Sequence, residues 1–524
     1  MLHTTFCSLP HRIKSMALTF VSSALKETSK ATVIQTMTGS SQRSLFVVDN
    51  VVELPQLVKL EVDGLPNFTT IYPDKNNFSA FLKSEVKVAK LEKLKIIRME
   101  KLKQIWAPDI QEVNEISMLR EIEVERCDSL VNLFPTNSMR KMNHLERLIV
   151  KECGSLEMIF NIDLDYVRHE VEQVSNNSSL RSIGVFKSSN LREVWRTIGD
   201  ENNSSSSGSL LISGFEALER IYVESCTGFR SLFTPSNTNV KLDMRALTTI
   251  IIRNFLDREQ ALLQRKRKGG DNFSSDASPS NVMQKQHDDN LSSIVFPGNL
   301  LHSFHYLQRL DMMGYDGVEV VFEIESPSNG ELVTTTNNQL LLPNLQDLSV
   351  CHMERMTHVW KCNNWNKFLT LQKQSSFHNL TTISVAECPR IKYLFSPLMA
   401  KFLTNLKKVY ITSCDGMEEI VSKRDDKDED EEVTTPTYNY NLFPYLHSLG
   451  FYSLRNLKRI GGSCDDEKGT TNVIHDQLQF PKVGLVSWSL CQYSREIRIT
   501  LCDTLSSVIP SYATREMNNL KCWK

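Results

Sequence analysis

The chain has 524 residues, a net charge of −2, 40% apolar and 23% charged side chains, a balance with no global field to favour nucleic acid or an anionic membrane. No run approaches the ~18 consecutive apolar residues needed to span a bilayer. A length that would ordinarily divide into several globular domains also suits a stack of short repeats, in which each unit packs only on its neighbours.

Residues 1–44 carry no repeat pattern and read as a disordered or atypical N-terminal segment. The first 26 lack acids, contain His11, Arg12, Lys14 and Lys26 and are rich in hydroxyls, a composition with a faint likeness to a transit peptide. Periodicity then begins. Leu57, Leu60, Val62, Leu65, Phe68 and Ile71 form one unit, and Leu91, Leu94, Ile96, Met99, Leu102 and Ile105 the next. Further units start at Leu119, Leu145, Leu180 and Leu218, with a degraded one at Leu247. Residues 257–298 hold Gly269-Gly270, many Ser and Asn and the basic run Arg265 to Lys268, and read as a mobile insertion. Units resume at Leu307, Leu345, Leu380, Leu406 and Leu446. A divergent one uses Ile497, Ile499 and Cys502, and Leu520 opens another that is left unfinished. The expected blocks are therefore 45–256 and 299–524.

The pattern is clearest where it occurs twice in succession. Leu380, Ile383, Val385, Cys388, Ile391 and Leu394 return 26 positions later as Leu406, Val409, Ile411, Cys414, Met417 and Ile420. This spacing resembles the leucine-rich repeat in its cysteine form. The aliphatic pair one residue apart points both side chains to one face of a short strand, because strand side chains alternate. The small, buried cysteine suits the tight turn that follows. One such coil cannot bury its apolar face alone, so the units stack. The expected fold is an α/β solenoid, a curved horseshoe with a parallel sheet on its concave face and irregular loops or short helices on the convex one. LFPTNSMRKMNHL, LFSPLMAKFLTNL and VIPSYATREMNNL are the segments expected to make helical turns, each with Pro near its start.

Six of the 12 cysteines, Cys127, Cys153, Cys226, Cys388, Cys414 and Cys502, occupy one slot of different units, which marks them as structural thiols of a reducing compartment. Cys351, His352, His358 and Cys362 crowd together without zinc-ligand spacing, the first two falling on an exposed strand position and its turn. No phosphate-loop, nucleophile-elbow or zinc-protease motif occurs, so neither catalysis nor a cofactor is expected. The basic run at 265–268 and the acidic run from Lys423 to Glu432 read as solvated loop.

Function is then sought on the concave strand positions. Glu121, Glu123 and Glu125 are expected to face Arg147, Ile149 and Lys151 of the next strand and to satisfy one another's charge. Arg220 with Tyr222, and Lys408 and Tyr410 beside Tyr452, are the candidates for protein contact, because Tyr and Arg are enriched at binding hot spots.

The cysteine-bearing units, the phrases LPNLQDLSV and FHNLTTISVAECPRIKYLF, the irregular spacing and the closing FPKVGLVSWSL resemble the C-terminal repeat region of plant coiled-coil nucleotide-binding leucine-rich-repeat disease-resistance proteins. That resemblance implies a cytoplasmic defence receptor. Its repeats recognise a pathogen effector, or a host protein altered by one, and restrain a neighbouring nucleotide-binding domain. The chain has no nucleotide-binding module of its own, so it is expected to be a receptor fragment. A substrate adapter of a ubiquitin ligase and a non-functional receptor remnant are the alternatives.

Overall fold

The computed structural model describes residues 32–35, 52–53, 58–64, 70–72, 86–87, 90–106, 118–135, 143–164, 179–198, 210–233, 240–254, 294–315, 317–324, 340–362, 365, 368, 376–400, 402–422, 443–458, 460 and 494–505. Its dominant element is one sheet of 14 strands in which each strand lies beside the next in chain order. The strands are Thr32–Gln35, Lys59–Asp63, Lys93–Ile97, Glu121–Glu125, Arg147–Lys151, Ser182–Phe186, Arg220–Glu224, Thr249–Arg253, Arg309–Met313, Asp347–Cys351, Thr382–Ala386, Lys408–Thr412, Ser448–Tyr452 and Glu496–Thr500. The ladder is parallel, and the register aligns equivalent residues without slip: Ile383 stands beside Val409, and Val409 beside Leu449. A one-residue slip would turn every aliphatic outward, so the buried pair fixes the register.

In five-residue strands such as Thr382–Ala386 the second and fourth side chains point inward. Ile383 and Val385 are both 0% exposed, as are Leu148 and Val150 six strands earlier. Twelve of the strands end in the same turn. The residue after it is left-handed, with φ between 51° and 57° at Arg98, Arg126, Glu152, Lys187, Ser225, His352, Glu387, Ser413, Ser453 and Leu501, while Gly64 and Gly314 stand at the same place with φ of 69° and 76°. This conformation costs a non-glycine residue about 1–2 kcal/mol. It is held because the residue's N–H donates to the last carbonyl of the next strand, as from Arg126 to Lys151 at 3.0 Å and from Glu387 to Thr412 at 2.8 Å.

The cysteine slot follows immediately, and hydrogen bonding explains its chemistry. Each thiol donates back to the carbonyl two residues before it: Cys127 to Glu125 at 3.5 Å, Cys388 to Ala386 at 3.1 Å, Cys414 to Thr412 at 3.4 Å. Ser188 takes the slot in one coil and makes the same bond, to Phe186 at 3.4 Å, and accepts one from the Cys153 N–H at 3.3 Å. All the described cysteines are free thiols. Burial pushes the Cys226 thiol up to about 12, so it is inert at neutral pH. A hydrogen bond to the neighbouring slot cysteine, and then burial, raise Cys127 and Cys388 as well.

Behind the long sheet the far side of the coil is more ordered than the spacing implies. Besides short helical segments such as Gly298–Phe304 and Pro397–Ala400, it carries short parallel strands. Asn132–Pro135, Met158–Asp163, Glu193–Ile198 and Ser231–Phe233 form one group; Ile294–Phe296, Val320–Ile324 and His358–Cys362 form another. These strands and the segments beside them hold an aromatic spine that runs Phe134, Phe160, Trp195, Phe233, Phe304, Phe296, Phe322, Trp360, Phe395, Phe443, with neighbouring rings 4.9 to 6.3 Å apart. All ten rings are buried. A continuous stack of this kind supplies both area and ring–ring geometry to a core that has no centre.

Two expectations about chain organisation meet the structure at their edges. The backbone of Thr32–Gln35, inside the segment 1–44, pairs with Lys59–Asp63 and adds a strand to the sheet. The strand Ile294–Phe296, inside the expected insertion 257–298, pairs with Val320–Ile324, whereas residues 257–293 lie outside the described residues. So do the acidic run and the helical turns expected near residues 136–142 and 510–519. Among the described residues no helix is long and apolar enough to cross a membrane.

Candidate functional site

The first, third and fifth positions of each strand form three columns on the open face of the sheet. At its N-terminal end these columns are charged and mutually satisfied. Glu121, Glu123 and Glu125 stand in register with Arg147, Ile149 and Lys151. Lys151 bonds Glu123 at 2.8 Å, Lys95 lies 3.6 Å from the same carboxylate, and Lys93 bonds Glu121 at 2.5 Å. Burial alone would raise the Glu123 carboxyl, but the Lys151 hydrogen bond and the charges of Lys95, Lys151 and Lys93 outweigh it and hold it below its ordinary value. These groups face one another rather than a partner.

Toward the middle the face becomes apolar. Ile149, Gly184, Tyr222 and Ile251 are successive members of the third column. Gly184 leaves room that the Phe186 ring fills, a Cβ there lying 2.8 Å from a ring carbon. Tyr222 therefore belongs to a small apolar patch with Phe186, Ile149 and Ile251. Arg220 stands on the rim of that patch, 3.4 Å from Glu219, which also pairs with Arg181 at 2.7 Å.

A second aromatic pad closes the face near its C-terminal end. Tyr410 is in register with Gly450, and Tyr452 lies two residues further along the same strand as that glycine. Both rings cover Gly450: a Cβ there would stand 2.8 Å from Tyr410 Cδ1 and 2.9 Å from Tyr452 Cε2. The hydroxyls are tethered too. Tyr410 Oη and Ser448 Oγ share a hydrogen bond at 3.1 Å, and Ser448 Oγ donates to Glu496 at 3.4 Å. Glu496 pairs with Arg498 at 2.5 Å, and Arg498 bonds Tyr452, which raises the guanidinium above its ordinary value. Lys408 is exposed at the head of the Tyr410 strand, in register with Ser448.

The five expected contact residues thus fall into two groups rather than one site. Four strands separate them, so the Tyr222 and Tyr410 strands are five spacings, about 24 Å, apart. Gly184, Phe186, Gly450, Ser448, Glu496 and Arg498 complete the two patches. A glycine in the third strand position was their one sequence signal.

Among the described residues no group of three or more His, Cys, Asp or Glu side chains could hold a metal ion. Cys351 and Cys362 end strands in different sheets. His352 sits in the turn after its strand, as expected, and is 5% exposed, with Nδ1 3.2 Å from Glu387 Oε2.

The chain matches the sequence model of the plant disease resistance protein RPS2-like leucine-rich repeats over residues 42–154, 135–255, 281–414 and 363–479. It belongs to that family. The leucine-rich repeats account for the strand, left-handed turn and cysteine slot as one recurring coil, and for a solenoid of a kind that serves recognition rather than catalysis. No curated protein matches the chain. Among solved structures, the crystal structure of a TLR13–ssRNA13 complex aligns at 10% identity over 86% of this chain and 68% of that one, with a TM-score of 0.17, a likeness too slight to carry argument.

Proposed function

We propose that these leucine-rich repeats are the protein-recognition module of a plant intracellular immune receptor, and that a pathogen effector or a host protein altered by one docks on the open face of the sheet. The observation that carries this reading is the pad of Tyr410 and Tyr452 over Gly450, flanked by Lys408. Two amphipathic rings are held in place by packing and by tethered hydroxyls, so a partner meets a preorganised surface and little side-chain freedom is lost on binding. Tyr222 with Phe186 offers a second contact along the same arc. The slot thiols, each bonded to a backbone carbonyl and none in a disulfide, support a reducing, cytoplasmic setting. In a receptor of this kind a nucleotide-binding domain adjoining the repeats supplies the signalling.

A photo-crosslinking residue at Lys408, compared with one at Arg192 away from the open face, tests the proposal in infected leaf tissue. An infection-dependent protein adduct from position 408 alone is expected. Equal crosslinking from both positions would remove the open face from the recognition mechanism.

A further inference from the structure

Off the open face, the segments that follow the strands form a shallow cavity of about 520 Å3, lined by Arg390, Lys392, Gly416, Glu418 and Lys458 with Thr357 at one end. Its floor is Gly416. A Cβ there would lie 2.1 Å from the Pro389 carbonyl oxygen, so the backbone packing forbids a side chain and keeps the notch open. Lys392, Glu418 and Lys458 occupy equivalent places in three successive coils, linked by the Glu418 N–H to the Lys392 carbonyl and the Lys458 N–H to the Glu418 carbonyl, both at 2.9 Å.

The charges around this notch do not balance. Lys458 is paired with Glu418 at 2.8 Å. Arg390 and Lys392 are exposed and, among the described residues, neither side chain has a hydrogen-bond or ion-pair partner. Elsewhere on the stack the pattern differs: Arg355, the residue equivalent to Arg390 one coil earlier, is paired with Glu319 at 2.8 Å. Among the described lining residues, three cations against one carboxylate leave two positive charges facing the groove.

The spread of these cations selects among anions. Lys392 and Lys458 stand two coil spacings apart along the stack, about 10 Å, which is close to three residues of an extended chain. The Arg390 fork can hold a carboxylate by two parallel bonds. We propose that the notch binds an extended acidic segment of a partner protein, its backbone lying over Gly416 along the axis of the stack and its carboxylates on Arg390 and Lys392. This surface is separate from the tyrosine pad and does not depend on it.

Fluorescence anisotropy with a fluorescein-labelled tetraglutamate peptide tests the assignment, with a tetralysine peptide as control and inorganic phosphate as competitor. Saturable binding of the tetraglutamate alone is expected, weakened by salt and by about tenfold in either Arg390→Glu or Lys392→Glu. Lys408→Glu should leave it unchanged, which separates this site from the pad. Both reversals fall on exposed side chains, so the melting temperature should not move and loss of fold is not confused with loss of binding. The inference is overturned by an absence of saturable binding, by affinity indifferent to both reversals, or by displacement with equimolar phosphate, which would make the notch a site for a single small anion.

Discussion

Tyr410 lies across Gly450 of the neighbouring strand so closely that a Cβ on the glycine would stand 2.8 Å from the tyrosine ring. The missing side chain is what lets the ring lie flat on the sheet. Gly450→Ala should therefore lift both Tyr410 and Tyr452 away from the backbone. The atoms such a methyl would meet are ring carbons on movable side chains, so the strand survives, at an overpacking cost of about 1–3 kcal/mol. Near-ultraviolet circular dichroism should show the tyrosines losing their fixed environment while the far-ultraviolet spectrum is retained. Unchanged tyrosine signals would mean the rings do not rest on the glycine.

The aromatic spine makes a second prediction. Trp195 stacks on Phe160 and Phe233 at 5.6 and 4.9 Å and meets Phe215 edge-on at 5.4 Å, yet its buried indole N–H has no hydrogen-bond partner among the described residues. Trp195→Ala should cost about 3–5 kcal/mol, because the ring volume is lost from a close-packed stack. Trp195→Phe should cost far less. It keeps an aromatic ring in the stack and removes an unsatisfied donor whose burial costs about 1–3 kcal/mol. Chemical denaturation of the two variants checks the order; equal losses would show that the spine does not depend on ring stacking.

Inward strand positions give a third. Ile383 and Val385 are completely buried between Leu348 and Val409 and between Val350 and Ile411. Ile383→Ala should destabilise by about 2–5 kcal/mol and Val385→Ala by less, in proportion to the smaller volume removed. Urea midpoints measure both, and a larger loss at Val385 would contradict the packing.

These cases also show what the sequence could reveal. Ile383, Val385 and their counterparts were legible because two aliphatics one residue apart admit one strand face, and a repeating cysteine marks where that strand must turn. The pairing of Glu121, Glu123 and Glu125 with Arg147, Ile149 and Lys151 followed from that register alone. The left-handed turn was hidden, since Arg98, Lys187 and Leu501 adopt it without the glycine that would announce it. The spine was hidden as well: Phe134, Phe160 and Phe395 are visible as apolar ends of units, but the uneven coil lengths obscure that Trp195 and Trp360 join them. Tyr410 and Tyr452 were recognisable as outward-facing, whereas their convergence on Gly450, and their distance from Tyr222, depend on how many strands intervene and where each ring turns.

Glu123 carries the prediction for pH. Its carboxylate is 10% exposed, bonded by Lys151 at 2.8 Å and 3.6 Å from Lys95, and its folded-state pKa is lowered because the lysine hydrogen bond and charges outweigh burial. A lowered folded value means the ionised group stabilises the fold, with that contribution complete above its unfolded value near ~4.3 and lost as pH falls through the folded one. Glu123→Gln should therefore lower stability by about 1–2 kcal/mol at neutral pH, leaving Lys151 and Lys95 without the negative charge they face. The gap between the two proteins should stay constant from neutral pH down to about pH 5 and close progressively below about pH 4, where the native carboxylate is also neutral. Melting temperatures measured across that range decide it. A gap that persists undiminished in acid would place the effect in packing rather than in charge.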